Sequence, residues 1–500
     1  MNKKGKKTRR NAIPVFRQII ENLDTKALES LLETGLKEEE FQLIDGIRKN
    51  AFKSDKGACY DIYGVEKCSS YNQLKASTRV KLIRKLISQV PPQSATFNFG
   101  NIYKRVNAEY SAFNILHRSS QGTSAAYLGE LIVNSAIKYD FGEFICPISS
   151  YLIEYFNIYN PNVKKSNFYK KILEEYSNTI ALERKARIMY SELMNLFILQ
   201  FAPGMKAHEQ ATHQLSQLEP HLYKIPSTRF HLYTFLIKTF KCYAIKDFPA
   251  MNQAAQQGYR YFAELEFRRP LIENTFLRKS VEANLVLGNF QYCEDQLQMI
   301  LSNAKMGKSN WYNTLEILIT LNLHQQAYPK AVKSFNLGKK NRNFNELIST
   351  IKTRWGLLEA YINFLQLAGV APESPTMSRF RINRFINDTP QYEEDKKGRN
   401  IQLIIAQLLF YIIDKNWDKM EEKIEALQKY GTRYLRKNEL FRSQVFIKML
   451  LEIPRRLYHP QAILRHTSRY RKRLEEMAPN IDLNGSTLDH TIRASLGVDH

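Results

Sequence analysis

Two stretches carry residue types able to hold a metal or a nucleotide. His208-Glu-Gln-Ala-Thr-His213 approaches the zinc-binding helix motif H-E-x-x-H, but its spacing is H-E-x-x-x-H. At about 100° per residue, five residues set the two imidazoles about 140° apart around a helix, so they do not share one zinc ion. Gly307-Lys-Ser309 repeats the end of a P-loop, yet Ser302 stands where the first glycine is required. The preceding CEDQLQMILSNAK reads as helix, whereas a P-loop follows a strand, so a helix–helix turn is expected. G-x-G-x-x-G and G-x-S-x-G are both absent, and Glu38–Glu40, Glu393–Asp395 and Glu475–Glu476 read as solvated charge runs. The five cysteines (59, 68, 146, 242 and 293) are scattered, odd in number and without C-x-x-C. That usage fits a reducing compartment. No catalytic residue, cofactor or metal ligand is therefore expected. An enzyme would need a site assembled from distant helices.

The cations are more informative. Arg433, Arg436, Lys437, Arg442 and Lys448 fall within one turn and the helix after it, beyond the acidic cluster Glu393–Asp395. Either the two charge sets pair or stay solvated, or the cations line a concavity for phosphate, nucleic acid or an acidic peptide. Arginine suits bidentate recognition of carboxylate and phosphate. Arg379, Arg381 and Arg384 form a second group, and Arg465, Arg469 and Lys472 share one side of a helix over 460–477. That helix is either a cap with a solvated basic face or a binding surface. Lysine and arginine (73) exceed aspartate and glutamate (49), a net charge of +24. Such a surplus favours acidic partners and says nothing of fold. Nucleic acid is one such partner, although the excess is spread along the chain.

These groups need elements to position them. Five hundred residues exceed one compact core, so several domains or an elongated repeat array are expected. At 44% hydrophobic and 24% charged the chain is globular, and only 20 Gly and 17 Pro favour long helices over turn-dense β-structure. Residues 1–12 read as a basic disordered arm, and 13–95 as an N-terminal helical domain with helices over 27–34, 38–49 and 73–90. A loop is expected over 54–70, and Pro91-Pro92 marks a break. Residues 100–370 read as helical repeats, with one long helix or two over 166–202. A loop over 371–392 precedes a C-terminal helical block over 393–480 and a tail over 481–500. Within that block IQLIIAQLLFYII (401–413) is apolar on most faces and reads as a buried helix. Trp417, Met420, Ile424 and Leu427 line one face of the next, which Gly431 is expected to stop. Phe441, Val445 and Met449 turn a third inward.

A short signature recurs: Asp247-Phe-Pro-Ala-Met251, Asn289-Phe-Gln-Tyr-Cys293, Ala327-Tyr-Pro-Lys-Ala331 and Asn416-Trp-Asp-Lys-Met420. Each sets an aromatic at a helix start and a small or soft residue three positions on, as at the second helix of a tetratricopeptide unit. The closing residues step by 42, 38 and 89, the last about two units. The usual tetratricopeptide period is about 34, and other helical repeats run to about 40–47.

Residues 382–465 (INRFINDTPQYEEDKKGRN…IEALQKYGTRYLRKNELFRSQVFIKMLLEIPRRLYHPQAILR) resemble the C-terminal part of a family of uncharacterised bacterial cytoplasmic proteins built of tetratricopeptide-like helices. The likeness covers about a sixth of the chain, and the tail NGSTLDHTIRASLGVDH departs from it. It implies a fold and brings no activity. The start, MNKKGKKTRRNAIPVFRQII, is basic, but Arg17 and Glu21 interrupt its apolar part, so no signal peptide is expected. No run approaches the roughly 20 apolar residues of a membrane span. The expectation is an all-α cytoplasmic α-solenoid of degenerate tetratricopeptide-like helix pairs. It would act as a protein–protein interaction scaffold for an acidic segment, with nucleic-acid binding through phosphate contacts as the alternative.

Overall fold

The computed structural model describes residues 12–21, 23, 25–33, 36–88, 99–119, 122–200, 204–372, 380–388, 399–434 and 441–475. The expected arm, apart from residue 12, and the tail lie outside them. Among the described residues every regular element is a helix, and no helix is long and apolar enough to cross a membrane. The chain divides into two compact units, Met1–Asn178 and Thr179–His500.

The first unit holds two cores. Helices α1 (Ile13–Glu21), α2 (Thr25–Glu33), α3 (Glu38–Arg48), α4 (Asp55–Tyr63) and α5 (Ser69–Ile87) bury Leu43, Ile44, Ile47 and Leu82. Helix α5 is the spine: α1, α2 and α3 all pack on it. Residues 54–70, expected as a loop, contain α4. Ser54 caps it by accepting the Gly57 N–H at 3.2 Å, and Gly64 ends it in the left-handed conformation at φ 74°. Both are ordinary helix-end residues, but Gly57 and the weak apolar period hide the element between them. Helices α6 (Phe99–Arg118), α7 (Gly122–Tyr139), α8 (Gly142–Glu154) and the first part of α9 (Val163–Gln200) surround Phe113, Ile132, Ile145 and Ile148. The expected segment 166–202 is thus one helix through Gln200.

The second unit continues with α10 (Met205–Leu218), α11 (Thr228–Ala244), α12 (Phe248–Ala263), α13 (Pro270–Val286), α14 (Phe290–Asn303), α15 (Ser309–His324), α16 (Tyr328–Lys339) and α17 (Ser349–Leu367). Then come α18 (Ile382–Asp388), α19 (Arg399–Ile413), α20 (Trp417–Tyr434), α21 (Phe441–Arg455) and α22 (Pro460–Glu475). Helix α18 falls inside 371–392, which was expected as loop, and α20 runs through Gly431 to Tyr434. A mid-helix glycine costs only about 1 kcal/mol, less than the packing of Met420 and Ile424 in the core below.

Helices in this unit pack chiefly on their sequence neighbours, with α13 also touching α15 and α17 touching α19. One turn joins them repeatedly. Lys246, Gly288, Gln326, Gly369, Lys415 and Leu457 are all left-handed, with φ between 49° and 79°. At each, two hydrogen bonds close the helix end: Gln326 N–H donates to Leu323 O at 3.1 Å and Ala327 N–H to Asn322 O at 2.8 Å, and the same pair recurs at the others. This doubly bonded ending satisfies carbonyls a helix would leave orphaned. The intervals between the six are 42, 38, 43, 46 and 42 residues. Asp247, Asn289, Ala327 and Asn416 of the sequence signature directly follow four of them. Their closing residues Met251, Cys293, Ala331 and Met420 are all buried.

Candidate interaction surface

Of the cations singled out by sequence, Arg381, Arg384, Lys448, Arg465 and Arg469 are exposed. Arg433 and Arg442 lie on α20 and α21, but their side chains are outside the described set, as are residues Arg379 and Arg436 altogether. The five described cations do not share one element. Arg381 and Arg384 accompany α18, which packs on α19, while Lys448 is on α21 and Arg465 and Arg469 on α22, which packs on α21.

Helix α22 is sharply two-sided. Ile463, Thr467 and Leu474 are buried, and Arg465, Arg469 and Lys472 at i, i+4, i+7 are exposed on another face. Arg469 donates to the Tyr470 hydroxyl at 2.7 Å, with its guanidinium 4.6 Å from the Tyr470 ring centre. The turn before α22 is held firmly. The Tyr458 ring stacks on Trp417 at 4.3 Å, and its hydroxyl donates to Glu421 at 2.6 Å. Burial first, then that carboxylate, pushes the Tyr458 hydroxyl well above the usual tyrosine range. Buried Glu452 collects Arg455 at 3.2 Å and Arg456 at 3.0 Å, leaving the basic face of α22 to Arg465, Arg469 and Lys472.

A second polar line, not foreseen from sequence, crosses α13, α15 and α17. Arg278 donates to Asn310 at 3.4 Å, and Arg354 donates to Glu316 at 2.7 and 3.0 Å and to Asn313 at 2.8 Å. Lys279 pairs with Glu282 at 2.7 Å. Burial is the largest influence on both cations of α13: it lowers Arg278, whereas at Lys279 the adjacent Glu282 outweighs it and the net shift is upward. Yet 35% of the Lys279 side chain meets solvent. The line spans three helices. Its charges are already matched by neighbours, so the line joins helices more than it offers free cations. The only sequence hint was polar residues at i, i+3, i+4 and i+7 within otherwise apolar helices (Thr275, Arg278, Lys279, Glu282).

A further network lies one helix pair earlier. Gln256 Nε2 donates to Ser280 Oγ and to the Tyr292 hydroxyl, each at 2.9 Å; Asn284 Nδ2 donates to Asn252 Oδ1 at 2.9 Å, and Asn289 Nδ2 to Asn284 Oδ1 at 2.8 Å. These tie α12, α13 and α14 together, and Asn284, Asn289 and Tyr292 also line a shallow cavity of about 440 Å³ at the turn between α13 and α14.

The two motif-like stretches take ordinary places. His208 Nδ1 lies 3.0 Å from the Lys241 carbonyl oxygen on α11, whereas His213 Nε2 lies 2.9 Å from Gln217 Nε2 on its own helix. Gly307 (φ 79°) and Lys308 form the turn into α15, which starts at Ser309. Comparison with protein-family models, curated proteins and solved structures found no match. What fold and surface define is an all-helical protein with a basic, two-sided helix near the end of its second unit.

Proposed function

We propose that the protein is a non-enzymatic interaction scaffold, an α-solenoid of degenerate tetratricopeptide-like helix pairs that binds an acidic segment of a partner protein. The observation that carries this reading is the recurrence of one helix-ending turn at intervals of 38 to 46 residues through the second unit. Repeated pairs stacked on their neighbours form an extended binding surface. The polar line of α13, α15 and α17 is matched internally, so the acidic segment is assigned instead to the exposed stripe Arg465, Arg469 and Lys472 of α22, with Lys448 on α21 beside it. The family resemblance of 382–465 agrees with this reading, as does the net charge of +24. The test is partner capture by the wild-type chain and by Arg465→Glu/Arg469→Glu; undiminished capture by the variant rules out that surface.

A second reading is favoured by the same stripe: binding of DNA or RNA through phosphate contacts. It requires affinity for a generic oligonucleotide that falls steeply with salt. Absence of binding at low salt rules it out.

A further inference from the structure

The five cysteines are scattered in sequence, but folding brings two together. Cys59 is on the buried face of α4 and Cys68 is the N-cap residue of α5. Their sulfurs are 3.7 Å apart, in contact but unbonded. The eight residues between them turn on Gly64 at φ 74°, with Val65 and Lys67 exposed. The two sulfurs differ in access. Cys59 is fully buried, whereas Cys68 is partly open to solvent and accepts the Tyr71 N–H at 3.3 Å. A disulfide needs about 2.05 Å between sulfurs, a closure of under 2 Å for a residue at the edge of a loop.

We propose that Cys59 and Cys68 form a reversible dithiol oxidation site whose oxidant is a low-molecular-weight disulfide. Cys68, the accessible sulfur, attacks one sulfur of glutathione disulfide; a Cys68–glutathione bond forms and one glutathione thiolate leaves. Cys59 then attacks Cys68 Sγ, forming the Cys59–Cys68 bond and expelling the second glutathione. The two cysteines lose two electrons, glutathione disulfide is reduced to two thiols, and the cysteine protons end on the departing thiolates. Burial, then the neighbouring Cys68, raises Cys59, in keeping with its part as the second, resolving sulfur. The product staples α4 to the start of α5, on which α1, α2 and α3 pack. It also takes the Cys68 sulfur away from capping α5.

The experiment treats the full chain with glutathione disulfide, alkylates remaining thiols and maps the peptides. The expected result is a Cys59–Cys68 peptide reversed by reductant, with Cys146, Cys242 and Cys293 still alkylated. Cys59→Ser should instead stop at a stable glutathione adduct on Cys68. Three outcomes would overturn the proposal: Cys59 and Cys68 both alkylated in the treated wild type, glutathione persisting on wild-type Cys68, or either cysteine linked to another thiol. The wild-type map decides without the variant, should Cys59→Ser fold poorly.

Discussion

The buried carboxylate of Glu40 is stabilised by the donors around it. Glu40 is 1% exposed, yet it accepts the Lys37 N–H at 2.9 Å, the Ser77 hydroxyl at 2.7 Å and Lys81 at 2.6 Å. Burial, the largest single influence, would raise its carboxyl; the three donors together outweigh it and hold the group below its usual 4.5. A folded-state value below the unfolded one means stability that is present above the unfolded value and lost as pH falls through the folded one. Denaturant melts of the wild type should therefore weaken below about pH 4.5, and Glu40→Ala should remove much of that acid-induced loss. At neutral pH the same substitution leaves Lys81 beside an empty site and should cost about 3 kcal/mol. A change under about 1 kcal/mol would show that the cluster contributes little. Buried Glu452 likewise accepts from two cations, Arg455 and Arg456.

At the scale of the helices, close approach depends on small residues. A Cβ added to Gly258 on α12 would stand 2.7 Å from the Phe276 ring on α13. That ring is fully buried and stacked on Phe262 at 5.5 Å, so it has nowhere to go. Gly258→Ala should cost about 2 kcal/mol in thermal or urea melts, despite the better helix propensity of alanine. The recurring turn supplies a prediction of opposite sign. Asn284 and Asn322 occupy the same place, four residues before the left-handed position, but Asn284 Oδ1 receives Asn289 while Asn322 Oδ1 is buried without a partner. Ala327→Asn should restore that bond and cap α16, stabilising the protein by about 1 kcal/mol. An unchanged melting curve would mean that water already serves Asn322. Four of these turns were legible because a cap residue, an aromatic and a small buried residue follow in order. Those at Gly369 and Leu457 were not, since Val370 and Tyr458 break that order although the backbone repeats it. The face of α22 was legible because Arg465, Arg469 and Lys472 keep helical spacing within one element. Arg278, Asn310 and Arg354 were not, because their meeting depends on how three helices from distant parts of the sequence are registered. Cys59 and Cys68 were missed along with α4 itself.

At the scale of the whole molecule, the proposed means of recognition is charge displayed on a helical array. Reversing Arg465 and Arg469 touches side chains that are exposed, so circular dichroism and melting temperature should stay within experimental scatter of the wild type. Affinity for an acidic partner should fall by about tenfold or more, as expected when two charge-assisted contacts of about 1 kcal/mol each become repulsive. The same interaction should weaken as salt rises. The most direct measurement is affinity capture from lysate by wild type and by Arg465→Glu/Arg469→Glu, each with and without nuclease. A discrete protein partner should survive nuclease with the wild type and be lost with the variant. Co-purifying proteins that vanish on nuclease treatment, or a partner retained equally by the variant, would contradict it.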